Sequence, residues 1–351
     1  MSKVAIIGAG MMGTAMCWPL VDNGHEVNLC GTPLDKTIID SIRHDGLHPT
    51  LERPVPQGVH SHYAEETPAL IGSADWIING VSSFGIPWFA ETVCSQVRSD
   101  QVILSVTKGL EVLDNGDLIT MPDAIRRRVP TPKAEMIRIH AIAGPCIAHE
   151  LPARRQTGVV FTGDDHKTLD FLKHELETNY YHIWTSTDVT GVEVCAALKN
   201  AYAMGVGMAV GMMEQAGQDG KAFMYNPQAA LFAQSIFEMG KLLKRMGGDI
   251  ENLHWLPGPG DLYVTVFGGR TVALGKLLGK GVLFVEARQL LAGVTLESVE
   301  IITNVAHAIP KLEARGLARS EDFPLLMHLN DIINFAAPVD IPWEKFFQNR
   351  P

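Results

Sequence analysis

Three glycines within six positions, Gly8, Gly10 and Gly13, follow directly on an apolar run at 4–7 and open a helix-like stretch. This spacing constrains the fold more than any other feature of the chain. Gly8 permits a tight turn out of a strand, Gly10 lets the backbone approach a pyrophosphate, and Gly13 lets the helix pack closely on the strand. Asp22-Asn23-Gly24 closes that helix before a second apolar run at 27–29. The segment is therefore expected to be a complete β-α-β unit, whose helix N-terminus suits a dinucleotide phosphate. The same glycines in any other setting would read as a packing turn.

The rest of the first half continues the alternation. Runs at 4–7, 27–29, 76–78, 102–106, 137–142, 159–161 and 181–184 read as strands, several continuously apolar, as a sheet covered on both faces requires. Helical stretches between them predict a Rossmann-type, doubly wound α/β domain with a parallel sheet. After Thr187 the strand signals stop. One helix is predicted over 189–213, and another from Asn226 as N-cap and Pro227 as first helical residue to the Gly247-Gly248 stop. The boundary falls near 188: a dinucleotide-binding domain over 1–188 and an all-α substrate domain over 189–351.

With 351 residues, 46% hydrophobic and 19% charged, the chain has the composition of a two-domain globular protein. A net charge of −10 argues against broad nucleic-acid or membrane-surface binding, so any cationic site must be local. The opening apolar run is too short for a signal peptide or a membrane span. Five dispersed cysteines without a Cys-x-x-Cys pair fit a reducing, cytoplasmic compartment. His44, His48, His60 and His62 lack an accompanying acid or cysteine cluster and read as solvated loop histidines, so no metal is expected.

Two lysines stand out. Lys108 follows a strand, in Val106-Thr107-Lys108-Gly109-Leu110, at the edge where open α/β sheets hold ligands. Lys199 is an isolated charge in the apolar stretch 194–204, next to Asn200. A lysine in such surroundings needs an anionic partner. The cofactor's ribose is read ambiguously: Cys30-Gly31-Thr32-Pro33 stands where an acid would accept a 2′-hydroxyl, and Asp35 and Lys36 come late. NAD and NADP both remain open. Phe84, in Val81-Ser82-Ser83-Phe84, flanks the cofactor or belongs to the core. Asp261 sits in Pro257-Gly258-Pro259-Gly260-Asp261, where a turn-forming role competes with a site role. Arg270, after Gly268-Gly269, is either a loop charge or an anion fork.

Taken in order, Gly8-x-Gly10-x-x-Gly13, Lys108-Gly109-Leu110, Gly144-Pro145, Ala197-Leu198-Lys199-Asn200, Gly260-Asp261-Leu262 and Gly268-Gly269-Arg270 span nearly the whole chain. In them the sequence resembles the NAD(P)-dependent glycerol-3-phosphate dehydrogenase family. The resemblance implies reversible reduction of dihydroxyacetone phosphate by a Rossmann domain followed by a helical domain, in a homodimer. It implies that Lys199 is the general acid, that Lys108 stabilises charge on the reacting oxygen, and that Asp261 holds the lysines in place. Asn200, Thr265, Arg270 and the neighbouring Thr271 fall on the substrate side. Gly8, Gly10, Met11, Met12, Gly13, Phe84, Lys108, Ala143 and Arg270 fall on the cofactor side. The chain departs from the family at Thr271, where asparagine is usual, at Gln228, Cys146 and Arg154-Arg155, and around 290–293, where a glutamate-glycine pair is missing. These departures bear on which phosphate ester is the substrate. Beside the leading reading stand a dehydrogenase for another phosphorylated polyol or small anion, and a nucleotide sensor without turnover.

Overall fold

Apolar runs covered on both faces become strands of one eight-stranded sheet in the computed structural model, which describes residues 1–217 and 224–348. The chain divides into two compact units: 1–108 with 121–189, and 109–120 with 190–351. The single boundary drawn near residue 188 thus omits a short excursion, because the hairpin at 109–120 groups with the second unit.

In the first unit, β1 (Lys3–Ile7) and β2 (Glu26–Cys30) are followed by a small antiparallel pair, β3 (Leu47–His48) and β4 (Arg53–Pro54), and by β5 (Val59–His62), β6 (Trp76–Asn79) and β7 (Val102–Ser105). The hairpin β8 (Leu110–Val112) and β9 (Leu118–Thr120) comes next, then β10 (Arg138–Ala143), β11 (Thr157–Thr162) and β12 (Tyr181–Ser186). The sheet order is β12-β11-β10-β7-β6-β1-β2-β5. All seven expected runs are strands of this sheet, and β5 is an eighth. Pairing is parallel except between β10 and β11, where Ala141 faces Thr162. No helix lies between those two strands to carry the chain back, so β11 returns beside β10 in the opposite sense.

Helices α1 (Met11–Ala15), α2 (Cys17–Asp22), α3 (Lys36–Asp45), α4 (Thr67–Ser73), α5 (Ile86–Trp88), α6 (Met121–Arg126), α7 (Thr131–Ala134) and α8 (His166–Leu176) cover the sheet. The helix after the glycine loop breaks at Met16 because Pro19 has no N–H to give the Ala15 carbonyl. Arg154, one of the departures from the family, is committed here: its guanidinium donates to both oxygens of Asp22 at 2.7 Å.

The second unit is helical: α9 (Val189–Ala216), α10 (Tyr225–Met246), α11 (Asp261–Val266), α12 (Arg270–Gly279), α13 (Phe284–Leu290), α14 (Glu297–Ala314), α15 (Pro324–Phe335) and α16 (Trp343–Gln348). Helix α10 begins earlier than expected, with Met224 as N-cap and both Asn226 and Pro227 inside the first turn. Proline is accommodated there because a first-turn N–H has no intrahelical partner to lose. Gly247 ends the helix at φ +81°. Helix α9 has the length and apolarity of a membrane span, yet 83% of its most apolar window is buried inside the unit, so it is the core helix. It packs backbone to backbone on α12. A Cβ on Gly211 would stand 2.2 Å from the Lys276 carbonyl oxygen, and one on Gly279 would stand 2.0 Å from that of Met208. The hairpin is fastened to α14, where Arg315 donates to Asp117 at 2.7 Å and Asn304 to the Leu110 carbonyl at 3.3 Å.

Candidate functional site

The turn out of β1 shows which glycines the fold itself demands. A Cβ on Gly8, held at φ +110°, would meet the Gly80 backbone at 2.7 Å, and one on Gly13 would meet the Gly8 carbonyl oxygen at 2.2 Å. At Gly10 the nearest protein atom would be 4.0 Å away. The first and third glycines are required by packing, whereas the second keeps open a place that the protein does not fill. That cradle fits the pyrophosphate of a dinucleotide. Met11 and Met12 begin α1 and rest half-buried against the core of the unit.

Asp35, which the sequence placed late for the ribose, and His48, which it read as a solvated loop histidine, brace this loop. The Ala9 N–H donates to Asp35 Oδ2 at 3.2 Å, and the same oxygen accepts from the Thr32 N–H and hydroxyl, each at 2.8 Å. The Ala9 carbonyl accepts from His48 Nε2 at 2.9 Å, while His48 Nδ1 accepts from the N–H groups of Thr50 and Leu51. His48 is fully buried, not a solvated loop residue, and burial lowers its pKa and keeps the ring neutral. The fold carries it back under the loop from 39 positions away, a proximity no local pattern announces. Beside the Asp35 turn lies a cavity of about 370 Å³ lined by Gly31, Thr32, Pro33, Lys36, Ile39 and Tyr63. It opens off the end of β2, where the ribose of a dinucleotide is held.

At the carboxyl ends of β6 and β7 a buried polar network fixes the approach to Lys108. Asn79 Nδ2 donates to Ser105 Oγ at 3.0 Å and to Thr107 Oγ1 at 3.1 Å, and the Thr107 hydroxyl donates to the Val81 carbonyl at 2.7 Å. Lys108 itself is half-buried. Phe84 is 58% exposed on a turn beyond β6, which excludes the core reading. Ala143 ends β10 and is fully buried, followed by Gly144 at φ +119°. Cys146 packs half-buried against the core of the first unit.

The second unit holds the other residues in two sets of contacts that meet in the chain at the adjacent Lys199 and Asn200 on α9. Lys199 on α9 forms an ion pair with Asp261, the first residue of α11, and the Asp261 side chain is only 1% exposed. Asp261 is therefore more than a turn former. Thr265, one turn later, donates its hydroxyl to the Asp261 carbonyl at 2.6 Å. Asn200 Nδ2 donates to Glu297 Oε2 at 3.5 Å, and Arg270 approaches Glu297 Oε1 at 3.9 Å. Thr271, next on α12, is buried. Gln228 donates to the Met213 sulfur, a contact between helices. Glu297 was not singled out in the sequence: a glutamate was sought around 290–293, and one stands instead at the start of α14. Among the described residues no three metal-ligating side chains come together.

A glycine cradle on a doubly wound sheet, joined to a helical unit with a buried lysine–aspartate pair, defines a nicotinamide-dependent oxidoreductase. The sequence profile of the NAD-dependent glycerol-3-phosphate dehydrogenase N-terminus matches residues 3–169, and that of the C-terminus matches residues 188–342. The chain belongs to this family, and its cofactor is NAD or NADP. It is 35% identical over 286 residues to the NADP(+)-dependent glycerol-3-phosphate dehydrogenase of Archaeoglobus fulgidus, covering 82% of each chain. It is 30% identical to the glycerol-3-phosphate dehydrogenase [NAD(P)+] of Syntrophobacter fumaroxidans, covering 79% of this chain and 78% of that one. The crystal structure of glycerol-3-phosphate dehydrogenase from Coxiella burnetii shares the fold, with a TM-score of 0.80 at 24% identity over 98% of this chain and 97% of that one.

Proposed function

We propose that this chain reduces dihydroxyacetone phosphate reversibly to glycerol 3-phosphate, with Lys199 as the proton donor. The observation that carries this reading is the buried Lys199–Asp261 ion pair, with Asn200 the next residue along α9 and in contact with Glu297, which Arg270 also approaches. Family membership and the names of the Archaeoglobus and Syntrophobacter relatives support the substrate.

With its pyrophosphate held in the Gly8–Gly13 cradle, the dinucleotide would supply a hydride from its nicotinamide ring. Met11, Met12, Phe84 and Ala143 complete that side of the site. Lys199 passes a proton to the oxygen as negative charge grows there, and a positioned ammonium stabilises that charge more in the transition state than in the bound ketone. Asp261, buried against it, keeps the ammonium charged and fixed, since an isolated interior charge is costly. The family resemblance assigns Lys108, which follows the Asn79–Ser105–Thr107 network, to the stabilisation of charge on the reacting oxygen. Arg270, Asn200, Thr265 and Thr271 take the phosphate, for which a guanidinium is the natural fork. A cytoplasmic homodimer belongs to this reading, and light scattering on the purified protein tests the assembly.

A second reading, reduction of another phosphorylated ketone, draws on the buried Thr271, which supplies one hydroxyl where the family has an amide with two N–H donors. Oxidation of NADH and of NADPH, followed with dihydroxyacetone phosphate, plain dihydroxyacetone and a panel of phosphorylated ketones, decides among these. We expect kcat/KM for dihydroxyacetone phosphate to exceed that of the plain ketone by about tenfold or more, the value of a charge-assisted contact. Equal rates with the two would remove phosphate recognition.

A further inference from the structure

Strand β2 ends on Cys30, and Gly31 follows where a dinucleotide fold commonly carries an acid for the adenosine ribose. The turn after it folds back on the strand. A Cβ on Gly31 would stand 2.8 Å from Ile39 Cγ1 and 3.2 Å from Asp35 Cβ, so the missing side chain lets Asp35 come this close. The return brings the Asp35 carboxylate to the glycine loop, where Oδ2 accepts from the Ala9 N–H at 3.2 Å and from the N–H and hydroxyl of Thr32. Oδ2 takes all of these bonds, and Oδ1 takes none from any described residue. An acid that arrives late in the chain thus stands, in space, beside the cradle.

We propose that Asp35 selects NADH over NADPH, with Oδ1 accepting from a hydroxyl of the adenosine ribose and its charge excluding a 2′-phosphate. The proposal rests on the Gly8–Gly13 loop as the dinucleotide cradle and is independent of the substrate. The ribose is joined to the pyrophosphate, so a coenzyme held over Gly10 carries it past Ala9 toward the end of β2. The cations nearby are already engaged. Lys36, on the wall of the cavity off β2, pairs with Asp40 at 2.9 Å. Arg43 gives its guanidinium to Glu66 at 2.8 Å and to the Ser61 carbonyl at 2.7 Å. Among the described residues that line the cavity there is no arginine, and Glu65 adds a second acid to that side. A phosphate monoester carries close to two negative charges and would meet a carboxylate there in place of a guanidinium fork.

The test is calorimetry of NADH and of NADPH binding to the full-length protein without substrate. Wild type should bind NADH about tenfold or more tightly than NADPH, the worth of one hydrogen bond to a charged group. Raising the ionic strength from about 0.01 M to about 0.15 M should narrow that gap, because salt screens the repulsion between Asp35 and the 2′-phosphate. These two wild-type measurements stand even where a variant fails to fold. Asp35→Asn keeps the size and an acceptor for the Ala9 and Thr32 donors, and its amide can turn an N–H to a phosphate. It should weaken NADH about fivefold and tighten NADPH. Wild type binding NADPH as tightly as NADH overturns the proposal, as does a gap that widens with salt. So does an Asp35→Asn variant that weakens both coenzymes alike, the mark of an acid that only braces the turn. Gly10→Val is the control for the cradle and should abolish binding of both coenzymes. If it does so while Asp35→Asn leaves the preference unchanged, the role of Asp35 alone fails. If Gly10→Val leaves both affinities unchanged, the cradle fails and the role of Asp35 with it.

Discussion

Lys199 and Asp261 serve chemistry and packing together, and the two roles come apart on substitution. Lys199→Met removes the proton donor and is expected to lower kcat by about 10²–10⁴-fold, the usual worth of a general acid. Nucleotide affinity, measured by calorimetry, should change little. It also leaves a buried carboxylate without its ammonium, at a cost of about 3–5 kcal/mol in stability. Replacing both partners, Lys199→Met with Asp261→Leu, should restore most of the stability, since an apolar pair of similar volume stands in well for a buried ion pair. Activity should stay lost. Denaturant midpoints and kcat measured on the same samples make the separation, and a double variant that regains turnover would take Lys199 out of the mechanism. At Thr271 the expected direction is upward. Thr271→Asn offers two amide donors in place of one hydroxyl and should raise kcat/KM for dihydroxyacetone phosphate by about tenfold, one hydrogen bond to a charged group. A fall instead would mark a different native phosphate ester.

Among the elements, the strands were legible because a sheet buried on both faces needs continuous apolar runs, as in β1, β6 and β7. Strand β5, with the sequence Val-His-Ser-His, lies at the sheet edge, where polar residues are tolerated, and left no such trace. The hairpin β8–β9 escaped for another reason: each strand has only three residues, too short for a period to show. Lys199 was legible as a lone charge in an apolar helix. Asp35, His48 and Glu297 were not, because each reaches its partner through tertiary folding and stands in an ordinary polar stretch. The glycines are the sharpest case. Gly10 and Gly279 are both glycines at a helix end, yet a Cβ on the first comes no nearer than 4.0 Å to the Gly80 carbonyl oxygen, while one on the second meets the Met208 carbonyl oxygen at 2.0 Å. Gly10→Val should therefore fold normally and lose NAD(P)H binding by calorimetry. Gly279→Ala should keep the cradle but force α9 and α12 apart, with a loss of about 1–3 kcal/mol as for other overpacked sites. Unaltered nucleotide affinity in Gly10→Val would reduce the loop to a packing turn.

At the scale of the whole molecule, His140 in the first compact unit and Glu238 in the second are buried groups whose neutral forms burial favours, and these two respond to acid in opposite senses. In the first unit His140 on β10 is 1% exposed, and neither ring nitrogen has a hydrogen-bond partner among the described residues. Asp165 stands 3.8 Å away, too far to bond. Burial lowers the His140 pKa from 6.5 to about 4, against the pull of Asp165 and Asp164. In the second unit Glu238 on α10 is fully buried, and burial raises its carboxyl from 4.5 to about 7. That happens despite hydrogen bonds from Gln234, Tyr202 and the N–H groups of Leu325 and Leu326. Between pH 4 and 6.5 the unfolded His140 binds more protons than the folded one, so its unit loses stability as pH falls through that window. Between pH 4.5 and 7 the folded Glu238 binds more protons than the unfolded one, so its unit gains stability as pH falls. From pH 7.5 to 5 each effect amounts to about 2–3 kcal/mol, and the two oppose each other in a global measurement. Hydrogen exchange, corrected for the intrinsic rate, resolves them. Amides of β10 and β11 should lose protection at pH 5, while those of α10 and the start of α15 gain it. Glu238→Gln should abolish the gain in the second unit and leave the loss in the first, so that the variant becomes acid-sensitive overall. If both units weaken together at pH 5, or if the second unit of Glu238→Gln still tightens in acid, Glu238 is not the titrating group.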